Sequence, residues 1–268
     1  MRIHYGPWAG EFGFELVWWS PAVRHLARLD RARGDTVVVS APAGSQFLYE
    51  FADEFVPLAW DPSRSFASCG RLLSPAPRVE AGAHFAWADL DPKSGRTPRE
   101  HRELGSRPDP SAPDVMAAFR PPKGRGYEGK AYPPAMCEEL VARLEGMGLS
   151  VGCFGGPDNW RFGRGPDYRG RPLGEQCSLL AGAACAVGPS SGTMHLASLC
   201  RTPYVTWYPL RPGHSEDVHR GAEWNPFGTK VVFLRGSAPP APQDAAAAVE
   251  GLVRSRPPRP RRRRKRKL

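Results

Sequence analysis

Ser190-Ser191-Gly192-Thr193, with His195 just beyond, lies between a short apolar run at residues 185–187 and a stretch of helical spacing at 193–200. Gly188-Pro189 ends the run. The serines are good N-cap residues, and Gly192 lets backbone come close to a ligand. A strand, a polar turn and a helix start leave N–H groups unbonded at the positive end of a helix dipole, which suits a phosphate. An ordinary strand-to-helix turn carries the same residues, so the turn alone leaves both readings open. His195 falls in the first helical turn, where a histidine is either a ligand donor or part of the core. Two further loops follow strand candidates: the basic, glycine-containing 120–130, with Arg120, Lys123, Arg125 and Lys130, and 155–159, with Asp158 and Asn159. Ligands bind at such carboxyl ends in open α/β sheets. His214, His219, Glu216 and Asp217 match no strong metal spacing.

The elements that must hold these loops read as two α/β halves. In the first, strands are expected at 2–5, 36–40 and 55–60, with a glycine-rich loop at 6–13. A helix at 14–29 should start or kink at Pro21, and a short one covers 46–51. Residues 61–113 are Pro-rich, with one strand-like run at 84–87; 91–113 reads as a loop, a lid or the link between the halves. In the second half, strands are expected at 115–119, 149–154, 185–187, 204–208 and 231–234. Helices are expected at 133–147, 173–184, 193–200 and 244–253, and a polar loop at 211–228. The strand–helix–strand order implies parallel sheets with helices on both faces.

Composition narrows the class. Of 37 Lys and Arg residues, ten lie in 254–268, which carries no acid; the other 27 balance 27 Asp and Glu. The folded part is therefore formally neutral, and the excess of +10 belongs to a Pro/Arg tail. Such a tail reads as a disordered appendage for polyanions, namely nucleic acid, anionic membrane or an acidic partner, while the neutral core argues against nucleic-acid binding by the fold itself. Six scattered cysteines without CxxC, no signal-peptide pattern and no apolar run of membrane-spanning length indicate a reducing, cytoplasmic protein.

With these residues in view, the chain resembles glycosyltransferase family 9, the heptosyltransferase-like GT-B group, best over residues 115–232. Arg120-Pro-Pro and Lys130-Ala-Tyr-Pro are similar to that family's basic loop and "K-x-W-P" helix entry. Residues 149–157 resemble its "V-x-x-x-G-G-P" strand, and 173–197 its "L-x-E…D-[ST]-G-x-x-H-L-A" element. Trp224-Asn-Pro-Phe-Gly resembles its "W-x-P-x-G" loop. The first half matches more loosely: Glu15 precedes Pro21 by six, as the family's catalytic Asp precedes its proline. Ser190 stands where the family has the Asp of "D-[ST]-G", and the first half is short.

The resemblance implies two Rossmann-like parallel-sheet halves with a cleft between them. The expected divisions are 1–113 for the acceptor, 114–253 for the donor, and the disordered basic tail 254–268. It implies an inverting transfer of sugar from a nucleotide-diphosphate sugar to an acceptor hydroxyl, with no metal and no cofactor besides that donor substrate. Glu15, or in second place Glu11, takes the role of base. Arg120, Lys123, Lys130, Ser190, Ser191, Gly192, Thr193 and His195 are placed on the diphosphate, and Asp158 near the base or ribose. Two other readings stay open: a donor-binding protein without turnover, and a nucleic-acid-associated protein acting through its tail.

Overall fold

The computed structural model describes residues 1–8, 10–59, 83–85, 97–121, 131–209 and 212–255. Within these, two parallel sheets form. The first takes β1 (Arg2–Tyr5), β2 (Thr36–Pro42), β3 (Glu54–Leu58) and β4 (Ala83–Phe85) in the order β3-β2-β1-β4. The second takes β5 (Val115–Ala117), β6 (Val151–Cys153), β7 (Cys185–Pro189), β8 (Tyr204–Trp207) and β9 (Val231–Leu234) in the order β6-β5-β7-β8-β9. Both orders reverse direction once. The reversals fall between β1 and β4 and between β5 and β7, and such switch points open crevices for ligands at the strands' carboxyl ends.

Each sheet grows from short β-branched or apolar runs. β2 reads Thr-Val-Val-Val-Ser-Ala-Pro and is buried at all but its first residue. Alternation along β5 sends Val115 and Ala117 to one face and Met116 and Ala118 to the other, into two separate apolar clusters. On the first face lie α3 (Pro134–Gly146) and α7 (Pro242–Arg254), through Leu140, Val141, Leu144, Ala245, Val249 and Leu252. On the second lie α4 (Leu173–Gly182) and α5 (Gly192–Leu199). Their cluster runs without a break into the first half, through Met194, Leu196, Trp18, Trp19 and Leu48.

The helix after β1 is continuous but not uniform. An α turn, α1 (Phe12–Phe14), passes into a π-helical turn (Glu15–Trp19) and then into α2 (Ser20–Ala32). Pro21 directly follows the π turn, so its missing N–H falls inside the continuous helix, where the helical bonding is already irregular. All five residues of the π turn are buried, because this segment lies between the two sheets and has no wet face. Trp19 stacks on Trp8 at 5.5 Å, while Phe14 and Trp18 meet Trp224 of the second half edge-on at 5.1 and 5.9 Å.

Residues 97–113 carry the chain across this seam and are bonded to both sides. Glu100 N–H donates to Pro21 O, and Leu104 N–H to Leu199 O, both at 3.0 Å. Arg102 donates to Phe47 O at 2.9 Å and pairs with Glu50. Arg99 lies over the Trp18 ring at 4.1 Å. This stretch is the link between the halves rather than a lid.

Three expectations change. Residues 46–51 give a 3-10 turn (Gln46–Tyr49), not an α-helix. The loop expected at 211–228 contains α6 (Pro212–Arg220). Arg254, assigned to the tail, ends α7 and pairs with Glu250 at 2.6 Å. The five described cysteines are buried and form no disulfide with one another. Among the described residues no helix is long and apolar enough to cross a membrane. Residues 256–268, expected to be disordered, lie outside the described residues, as do Lys123, Arg125 and Lys130.

Candidate functional site

β7 delivers the Ser190–Thr193 turn to the second switch point. Ser190 N–H donates to Trp207 O at 2.9 Å, which fixes the turn to the end of β8. Ser191 is the N-cap of α5, extended at φ −163° and ψ 167°, and its side chain makes no capping bond. Its carbonyl accepts from Met194 and His195. Gly192 and Thr193 N–H have no acceptor among the described residues. Two adjacent unbonded N–H groups at a helix start are of the kind that suits an anion.

Two neighbouring loops close on this turn. The β6 loop passes behind Thr193: a Cβ on Gly155 would lie 3.5 Å from Thr193 Cγ2. Asn159 Nδ2 is spent on Phe154 O at 3.1 Å, while Asp158 is exposed at the loop's tip. Arg120 follows Phe119 directly after β5 and is half-buried. The geometry therefore brings Arg120, Asp158, Ser190, Ser191, Gly192 and Thr193 to one edge of the second sheet.

His195 points into the interior and is 5% exposed. Its ring stacks on His219 at 4.5 Å and 11°, and tilts against Trp224 at 4.7 Å. His219 and Glu216, weighed as metal ligands on sequence, have other partners. Glu216 pairs with Arg235 and, at 3.0 Å, with Arg220. His219 binds Ser190 and Tyr204.

The first half meets this turn through its own switch point. After β1 the chain turns sharply at Gly6, whose φ of 128° suits only glycine; a Cβ there would strike Ser40 O at 2.5 Å. It then enters α1, which packs on the start of α5. A Cβ on Gly13 would lie 3.3 Å from Gly192 Cα and 3.7 Å from His195 Cδ2.

The two carboxylates of this segment are placed differently. Glu11 is the N-cap of α1, extended and half-buried, and its carbonyl accepts from Glu15 N–H at 3.0 Å. Glu15 opens the π turn and is 2% exposed. Tyr49 O–H donates to Glu15 Oε1 at 2.9 Å. Burial pushes the Glu15 carboxyl up to about 7, against the pull of hydrogen bonds from Tyr49 and Ser45. The same pair holds the Tyr49 phenol well above its usual value, first through burial and then through the Glu15 charge. Tyr49 and Ser45 carry no motif in the sequence; only the fold brings them to Glu15.

Two cavities near the seam leave this site aside. One, of about 10 Å³, is lined by Leu16, Ser20, Arg24, Leu48 and His101, among others, and has room for about one water. The other, of about 300 Å³, lies between residues 97–101 and Ala222-Glu223.

No protein-family model and no curated protein sequence matches the chain. Solved structures do. The chain aligns with the glycosyl transferase family 9 protein from Veillonella parvula DSM 2008 over 94% of its own length and 97% of the other's, at 13% identity and a TM-score of 0.59. It aligns with E. coli heptosyltransferase WaaC, solved with ADP, over 95% and 99%, at 14% and 0.55. It aligns with E. coli ADP-heptose lps heptosyltransferase II over 94% and 98%, at 14% and 0.52. The fold is that of the GT-B heptosyltransferases. Identities this low speak for the fold alone. In GT-B terms, β1–β4 and β5–β9 are the two Rossmann-like sheets, and α1 against α5 is where their switch points meet.

Proposed function

We propose that the protein is a glycosyltransferase that moves a sugar from a nucleoside-diphosphate sugar to an acceptor hydroxyl. The observation that carries this is the meeting of two switch-point loops. One offers unbonded N–H groups at the start of α5, and the other offers the carboxylates of Glu11 and Glu15. A donor diphosphate on Gly192 and Thr193 N–H, with Ser190, Ser191 and Arg120 beside it, places the anomeric carbon toward α1. The acceptor oxygen attacks that carbon from the far side, so a single displacement inverts the centre. The bond from the anomeric carbon to the β-phosphate oxygen breaks, and the diphosphate leaves with the electron pair. A carboxylate of the α1 segment takes the hydroxyl proton. The helix start and Arg120 stabilise the charge on the leaving diphosphate without reorganising.

Glu11 is the more accessible of the two carboxylates, since it is half-buried at the N-cap of α1 while Glu15 is sealed against Tyr49. Glu15 has the stronger base character, through burial. Accessibility favours Glu11 as the base, with Glu15 behind it. Lys123 and Lys130 complete the cationic side in this reading. His195 supports the turn from beneath, and Asp158 faces the nucleoside. The relatives solved with ADP and with ADP-2-deoxy-2-fluoro heptose make an ADP-linked sugar the first donor to try. Contact of residues 256–268 with a polyanion is a separate, salt-sensitive association.

A second reading, donor binding without turnover, is favoured by the sealing of Glu15. A thermal-shift panel of ADP-, GDP-, UDP- and dTDP-sugars, followed by release of nucleoside diphosphate with a hydroxyl acceptor, tests both. A donor that binds only the native state raises the melting temperature. Stabilisation with release supports transfer, stabilisation without release supports binding only, and no stabilisation by any donor removes both.

A further inference from the structure

Ser190 stands where the resembled family carries an acid, and its hydroxyl is tied to a buried chain. His219 Nε2 lies 2.9 Å from Ser190 Oγ. On the other side of the ring, Nδ1 lies 3.0 Å from the Tyr204 hydroxyl on β8. That hydroxyl is also 3.4 Å from the carbonyl oxygen of His219. His219 and Tyr204 have no measurable exposure. Burial holds the Tyr204 phenol far above its usual value, against the pull of a hydrogen bond from Ser198, so the phenol keeps its hydrogen to give. His195 stacks on the face of His219.

A neutral imidazole has one N–H and one bare nitrogen, so the chain has two proton arrangements. In the first, Tyr204 donates to Nδ1, and Nε2–H donates to Ser190 Oγ. The Ser190 hydrogen is then available to a ligand. In the second, Tyr204 donates to the His219 carbonyl, Nδ1–H donates to Tyr204, and Nε2 accepts from Ser190. The Ser190 hydroxyl then presents only lone pairs outward, which a phosphate repels. The 3.0 Å contact between Tyr204 and Nδ1 serves both arrangements; the first puts the phenol's hydrogen on that contact, the second on the longer one to the carbonyl.

We propose that His219 is a positioning residue for the donor site: it fixes the Ser190 hydroxyl as a hydrogen donor to an anionic diphosphate. The inference rests on the diphosphate reading above and deepens it. A neutral Tyr–His–Ser line supplies one directed hydrogen at the strand end.

The test uses the full chain and whichever of ADP, GDP, UDP and dTDP binds wild type most tightly. Ser190→Ala should weaken that binding about tenfold or more, the range for hydrogen bonds to charged groups. His219→Ala should weaken it by a similar factor, the double variant by no more than either alone, and His219→Gln, which keeps an N–H donor, by less than threefold. Ring 15N spectra of wild type with the nucleotide bound, with the His219 signals assigned by their loss in His219→Gln, read the tautomer without any folding risk. Hydrogen on Nε2 is expected. Hydrogen on Nδ1 in the complex, or a Ser190→Ala affinity within twofold of wild type, overturns the proposal. Failure of wild type to bind any of the four removes the diphosphate reading itself, and this inference with it.

Discussion

Gly13 and Gly192 meet backbone to backbone across the seam between the two sheets. A Cβ added to Gly192 would stand 2.8 Å from Gly13 N and 3.2 Å from Phe12 Cδ1. Side chains at either position would push the α1 segment off the start of α5.

Gly192→Val should therefore weaken nucleoside-diphosphate binding and lower the melting temperature together. A branched residue must displace backbone, which costs about 1–3 kcal/mol or more. Ser191→Ala should leave the melting temperature within a degree or two, because Ser191 makes no capping bond. Calorimetry and thermal melts of both variants check the contrast; equal effects would contradict the close contact.

Trp224 joins the halves through Phe14, Trp18 and His195. Trp224→Ala should destabilise by about 3–5 kcal/mol, the range for removing a packed aromatic. It should also weaken nucleotide binding through His195. Urea melts give the first effect, and an unchanged midpoint would show that the seam does not depend on this ring.

Glu15 makes stability depend on pH in a direction opposite to most carboxylates. Its folded value is raised to about 7, from an ordinary 4.5. Between these values the folded state holds a proton that the unfolded state has lost. Stability from this group is thus full below 4.5 and is lost as pH rises through 7. The loss amounts to about 3 kcal/mol at pH 8 by linkage. Glu15→Gln keeps an acceptor for Tyr49 and should flatten the profile between pH 4.5 and 8. Denaturant melts at pH 5 and pH 8 measure it; a wild-type slope in the variant would contradict the buried, protonated carboxyl.

The two carboxylates also separate by activity. If reach decides, Glu11→Gln should lower kcat by 10²–10⁴, the usual contribution of a general base, with donor affinity within a few-fold. Glu15→Gln should change kcat less. The reverse order would move the base to Glu15 and require the Tyr49 contact to open.

Much of this architecture is legible in the residues. The strands announce themselves through runs such as Thr36-Val-Val-Val, and the turn at Ser190 through its polar break between a strand and a helix. The π turn does not, because Glu15-Leu-Val-Trp-Trp is buried on every side and so has no helical period to detect. α6 was hidden for a related reason. Its buried anchors are Glu216 and His219, which are polar and stay inside only because Arg235, Ser190 and Tyr204 pair with them. The Glu15–Tyr49 and Ser190–His219 contacts join residues 34 and 29 apart in sequence, and no local pattern records them.

Truncation after Ser255, rather than before Arg254, should leave the fold intact. Arg254 pairs with Glu250, and Ser255 Oγ donates to Leu252 O at 2.8 Å and accepts from Lys230 at 3.3 Å. Removing residues 256–268 should abolish only salt-sensitive binding to polyanions such as heparin or DNA, read by retention at low and high salt. A fall of several degrees in melting temperature would contradict this.

The proposed transfer depends on a nucleoside diphosphate binding at the start of α5. The most direct measurement is a crystal structure of the protein with ADP or whichever nucleoside diphosphate binds most tightly. A phosphate oxygen is expected about 3 Å from Gly192 or Thr193 N–H, with the Ser190 hydroxyl beside it and the sugar-bearing end turned toward Glu11. A nucleotide bound away from residues 190–193, with those N–H groups facing only water, would contradict it.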